Sequence, residues 1–95
     1  MSLGLRRTVR LTVLLPLVPN DGRRFPAGRV RAFESFLLDL SGGWTYAGIV
    51  RGSWRDGKKV FRDRHREYIL VVPTPRVSAI ARRLNKYIRS CFSQR

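Results

Sequence analysis

The chemistry on offer in this 95-residue chain is carried by one imidazole and a crowd of guanidinium groups. His65 stands in the run Arg62-Asp63-Arg64-His65-Arg66-Glu67, where Asp63 or Glu67 would orient its ring among neighbouring cations. That combination suits acid–base cleavage of RNA by a small basic ribonuclease of toxin type. A solvated loop histidine explains the same residues with less. The chain has no glycine-rich phosphate loop with its lysine, no Cys or His pair at metal-ligand spacing, and no Gly-x-Ser-x-Gly elbow. No residue is therefore assigned as catalytic, no metal or cofactor is called for, and the chain does not read as an enzyme.

Phosphate binding is the stronger chemistry. Seventeen arginines and three lysines oppose six acids, for a net charge of +14. A field of that sign selects polyanionic partners such as nucleic acid and says nothing about fold. Guanidinium forks donate paired hydrogen bonds to phosphate oxygens, and each neutralised phosphate releases counterions. The cations gather in two places. One is the stretch carrying Arg51, Arg55, Lys58, Lys59, Arg62, Arg64 and Arg66; the other is the C-terminal stretch, where Arg82, Lys86 and Arg89 recur at i, i+4 and i+7 beside Arg76 and Arg83 and no acid follows Glu67. Trp44, Tyr46 and Trp54 are candidates for stacking on bases, although aromatics of this kind more often fill a core. A GC-rich coding bias would raise the arginine count equally well, and a charged surface is first of all a soluble one.

These residues need elements to hold them. Val9, Leu11, Val13, Leu15 and Leu17 alternate with Thr8, Arg10, Thr12, Leu14 and Pro16, the period of a half-buried strand. Arg6, Arg7 and Arg10 before an apolar run imitate a signal peptide, but no small-x-small cleavage site follows. Asn20-Asp21-Gly22 supplies a turn. A helix opens at Pro26, with Val30, Phe33, Leu37 and Leu40 as its apolar stripe, Phe36 widening it and Ser41-Gly42-Gly43 stopping it. A second strand runs from Trp44 to about Arg55, with Trp44, Tyr46, Gly48, Val50, Gly52 and Trp54 on one face and Thr45, Ala47 and Ile49 on the other. Its two glycines suggest a bend.

Arg55-Asp56-Gly57-Lys58 reads as a tight hairpin turn that sets Trp54 opposite Lys59. After the basic stretch Arg62 to Arg66, Glu67 to Val72 reads as a third strand, apolar on both faces from Tyr68 onward and so central in its sheet. Thr74-Pro75 starts a last helix with the threonine hydroxyl as cap. Val77, Ile80, Ala81, Leu84, Ile88 and Cys91 form its buried stripe.

The resulting order, β-α-β-β-α, is the ferredoxin-like α+β plan, with both helices on one face of an antiparallel sheet ordered 1-3-2. One domain spans residues 1–95, with residues 1–7 expected to be disordered. No apolar run is long enough for a transmembrane helix. The lone Cys91 excludes an internal disulfide and a cysteine-rich zinc site, and points to a cytoplasmic setting. The third strand lacks the basic-Gly-aromatic pattern of an RNA-recognition domain, so base-specific readout is not expected.

Gly42-Gly43-Trp44-Thr45, then Gly52-Ser53-Trp54, Asp63 and the Tyr68-to-Val72 strand resemble a group of small uncharacterised bacterial proteins. These share a first strand ending in proline and an Asn-Asp-Gly turn. The resemblance covers residues 11 to 73 and implies fold alone, since the group has no established activity. Its members usually continue into a last strand, whereas this sequence ends at Phe92-Ser93-Gln94-Arg95. That departure leaves the first strand as an edge, which fits Pro16 and invites a homodimer or a partner strand at residues 9–18. A loop or helix end covering the edge is the competing expectation.

Overall fold

The computed structural model describes residues 7–17 and 25–92, so the expected Asn20-Asp21-Gly22 turn and residues 1–6 and 93–95 lie outside the described residues. The chain is α+β: β1 (Thr8–Pro16), α1 (Ala27–Ser41), β2 (Thr45–Asp56), β3 (Lys59–Pro73), a 3₁₀ turn (Thr74–Arg76) and α2 (Val77–Cys91). The three strands form one antiparallel sheet in the order β1-β3-β2. β3 is central, as its two apolar faces predict.

The alternation in β1 works as the period of two requires. Val13 and Leu15 are buried, and they lie opposite Tyr68 and Arg66 of β3, while Leu11 pairs with Leu70 and Val9 with Val72. Every fully inward residue of the sheet therefore falls on one face. Phe33, Leu37 and Leu40 of α1 and Ile80 and Leu84 of α2 join Val13, Leu15, Tyr68, Leu70 and Val72 in a single core. Both helices consequently cover the same side of the sheet. The opposite side exposes Leu14 and Val71.

Helix ends differ in detail from expectation. Pro26 is the N-cap of α1 and not its first helical residue, because its carbonyl accepts from Arg29 N–H at 2.9 Å while its own nitrogen carries no hydrogen. Gly42 closes the helix, donating its N–H to the Leu38 carbonyl at 2.8 Å. Thr74 does not cap α2 with its hydroxyl. It begins the 3₁₀ turn, and its N–H donates to the Arg7 carbonyl at 3.1 Å, tying the entry of α2 to the start of β1. The core also includes Phe92, fully buried one residue past α2.

The hairpin departs most from the sequence reading. Its turn is centred on Gly57 and Lys58, one residue later than expected, so Asp56 pairs with Lys59 and Trp54 with Phe61 in place of Lys59, two residues from the expected register. Positive φ occurs at Gly57 (63°) and not at Lys58, the pattern of a type II′ turn with glycine first. A second correction arises at Ala47. A bulge between Tyr46 and Gly48 interrupts the pairing with β3, and Gly48 accepts φ of 107°, which a residue with a Cβ adopts only with strain. Tyr46 therefore shares the helix side with Tyr68, whereas Gly48, Val50, Gly52 and Trp54 turn to the open side. Trp44 through Trp54 do not share one face.

The third correction concerns β3, which starts at Lys59 and not at Glu67. Charged side chains had marked residues 62–66 as a connection. Pairing with β2 satisfies their backbone whatever the side chains, because both faces of this stretch meet water.

Candidate nucleic-acid interface

β1 stops short of most of the hairpin. Among the described residues, its last contacts with β3 are Pro16 opposite His65 and the 3.1 Å bond from Leu17 N–H to the Arg64 carbonyl. Beyond that rung, β2 and β3 run on as a two-stranded ribbon, and every residue from Arg51 to Arg64 is exposed. The arm leaves the Cα radius of gyration at 15.1 Å, against about 12 Å for a compact chain of this length. A free ribbon of two strands is marginally stable in water, so its side chains must supply cohesion.

They do so on one face only. Residues directly opposite in an antiparallel pair project to the same side. Trp54 and Phe61 are such a pair, and their rings stack at 4.5 Å with 19° between planes. The Trp54 indole N–H donates to Asp63 Oδ2 at 3.0 Å, and Asp63 lies one rung further along that same face. Asp56 and Lys59 form its outermost pair. Both acids of the arm thus sit on the aromatic face.

The reverse face is cationic without interruption. Arg51 is opposite Arg64, Arg62 is opposite Ser53, Arg55 is opposite Val60, and Arg66 follows at the base opposite Leu15 and Ile49. Five arginines share this face with no aspartate or glutamate of the arm among them. Like charges directly across a strand pair destabilise it, so Arg51 and Arg64 carry an electrostatic cost that an anion would relieve.

The residues singled out from sequence are thus partly regrouped. Arg51, Arg55, Arg62, Arg64 and Arg66 come together, Lys59 falls on the opposite face, and Lys58 occupies the turn. On α2, Arg82, Lys86 and Arg89 are exposed and form a separate patch on another element. Arg76 donates to the Leu40 carbonyl at 3.4 Å, and Arg83 lies 5.8 Å over the Phe36 ring, so both also brace α1. Of the rings, Trp44 packs edge-on against Tyr68 at 5.5 Å, and Tyr46 has the Arg66 guanidinium 5.8 Å above it. A cleft of about 370 Å³ opens at the root of the arm, lined by Leu17, Phe25, Ala27, Val30, Arg31 and Arg66. Phe61, Phe92 and the Trp54–Asp63 bond were not anticipated. Only Phe92 left a local signal, its i+4 spacing from Ile88.

His65 belongs to β3, not to a loop, and is half-buried between Pro16 and Val50. Among the described residues, no group of three or more His, Cys, Asp and Glu is arranged to hold a metal ion. Among them, too, no helix is long and apolar enough to cross a membrane.

The rung behind the arm is secured by Tyr68. Its buried hydroxyl donates to Glu34 Oε2 at 2.6 Å, joining β3 to α1. Burial first, then the Glu34 hydrogen bond and negative charge, push its ionisation well above the usual 10.0, with Arg66 partly opposing. The folded state therefore holds this proton more tightly than the unfolded chain does. The stabilisation is complete below pH about 10 and is lost as pH rises beyond it. Urea midpoints followed by circular dichroism should stay level to about pH 9, then fall, and Tyr68→Phe should fall less steeply. An equal fall in both proteins would remove Tyr68 as the cause.

Comparison with family models, with curated proteins and with solved structures finds no match.

Proposed function

We propose that this protein is a non-catalytic nucleic-acid-binding domain whose contact surface is the arginine face of the β2–β3 arm. The observation that carries the reading is the segregation of charge: Arg51, Arg55, Arg62, Arg64 and Arg66 share one side of the ribbon, and Asp56 and Asp63 the other. The body presenting the arm is read as the ferredoxin-like plan. Arginine forks on a ribbon that protrudes from its core can reach phosphates without rearranging that core. Arg82, Lys86 and Arg89 of α2 offer a supplementary phosphate contact.

Gel shifts with DNA and RNA at rising salt test this directly. Log affinity should decline linearly with log salt, with a slope of about −0.9 for each phosphate neutralised on duplex DNA. Four or more contacts make that slope steeper than about −3.5. A second reading is a protein-interaction module that adds a strand or a second copy at β1, favoured by the place of β1 at the sheet edge. That module would show little salt-sensitive retention on heparin or DNA, an outcome that rejects the first reading.

A further inference from the structure

We infer that the ligand of the arm is B-form double-stranded DNA, engaged by laying the arginine face of the ribbon into the major groove; this inference rests on the nucleic-acid-binding reading of that face. The choice between a duplex and a single strand turns on where rings and cations lie relative to each other. Proteins that hold single strands set free aromatic faces beside a cationic track, so that bases stack while phosphates are neutralised. Here the two are on opposite sides of the arm. Trp54 is already stacked on Phe61 at 4.5 Å and its N–H is held by Asp63 at 3.0 Å. A strand stacking there would bring its phosphates toward Asp56 and Asp63. The aromatic pair is the internal brace of the ribbon, and the surface left for ligand is arginine with Ser53 and Val60.

Such a surface reads backbones and groove edges, which a double helix supplies. Two strands about 4.8 Å apart, with the thickness of their backbones, span roughly 10 Å. That fits the B-DNA major groove, about 12 Å wide, and exceeds the minor groove of about 6 Å. Each strand of the arm, six residues from Arg51 to Asp56 or Lys59 to Arg64, extends about 20 Å. The major groove of A-form RNA is deep and narrow and excludes a ribbon of this width. Within the groove, central Arg62 is placed for base edges such as guanine O6 and N7, and Arg51, Arg55 and Arg64 for the flanking phosphates.

Fluorescence anisotropy with the full chain and four labelled 20-mers of one sequence tests the inference: duplex DNA, duplex RNA, and single-stranded DNA and RNA at equal salt. Duplex DNA should bind at least about tenfold tighter than each of the others. Methyl green, a major-groove ligand, should displace the protein and netropsin, a minor-groove ligand, should not. In Trp44→Phe protein, where Trp54 is the remaining indole, emission should be unchanged at saturating DNA. Single strands or duplex RNA binding as tightly as duplex DNA, displacement by netropsin, or quenching of Trp54 would each overturn the inference and leave the nucleic-acid reading standing. Absence of binding to all four would reject that reading itself.

Discussion

Changing Arg51, Arg55, Arg62 and Arg64 together to alanine should lower DNA affinity about a hundredfold at 0.1 M salt, and the domain should stay folded. The estimate takes about 0.7 kcal/mol for each exposed ionic contact, and 1.4 kcal/mol for each tenfold in affinity. The slope of log affinity against log salt should shrink by about 2.7, since three of the four arginines face phosphates, which distinguishes lost phosphate contacts from a misfolded arm. Folding should survive, since the substitution removes the Arg51–Arg64 repulsion and leaves Trp54, Phe61 and Asp63 in place. Lys59→Ala serves as the control. Its side chain shares the acid-bearing face with Asp56, so gel shifts should register a change of about twofold or less. Equal losses from Lys59→Ala and from Arg62→Ala would mean that total charge, and not the face it occupies, governs binding.

Phe33→Ala should cost about 3–5 kcal/mol of folding stability. Phe33 is fully buried, and its ring meets Tyr68 at 5.5 Å, Phe92 at 5.7 Å and Tyr87 at 5.8 Å. One side chain of α1 thereby touches the central strand, α2 and the residue that ends it. Truncation leaves a cavity and removes aromatic pairs worth about 0.5–1.5 kcal/mol each. A domain of this size has on the order of 5–15 kcal/mol to lose, so thermal unfolding should drop by about 15–30 °C. Phe61→Ala is the informative comparison. Phe61 carries the same ring but lies on the arm, 38% exposed, and its loss should alter the arm with less than about 1 kcal/mol of global effect. Calorimetry giving the two variants the same midpoint would contradict the placement of the core.

Much of the body was legible without coordinates. Local repetition carried it: the two-residue alternation in β1, the three- and four-residue spacings of Phe33, Leu37 and Leu40 and of Ile80 and Leu84, and the stop at Gly42. Tyr68 to Val72, apolar on both faces, implied a central strand, and the sheet order followed. Errors gathered where side-chain periodicity is weak. Residues 51–64 meet solvent on both sides, so no buried stripe marks their register, and Asp56-Gly57 predicts a turn centre one residue before the observed Gly57-Lys58. The bulge at Ala47 compounds the effect, because a single extra residue exchanges the faces of everything before it.

The sequence alone determined the sign and size of the charge and which residues must be inside, since both depend on residue type and on spacing within one element. The faces on which those charges lie were decided only by tertiary structure. Six cations and two acids in residues 51–64 are compatible with a mixed, neutralised ribbon or with a divided one. A shift of one residue in strand pairing converts the first into the second. The physical reason is that pairing β2 with β3 stacks Trp54 on Phe61 and holds its indole on Asp63, and that cluster fixes which side the arginines take.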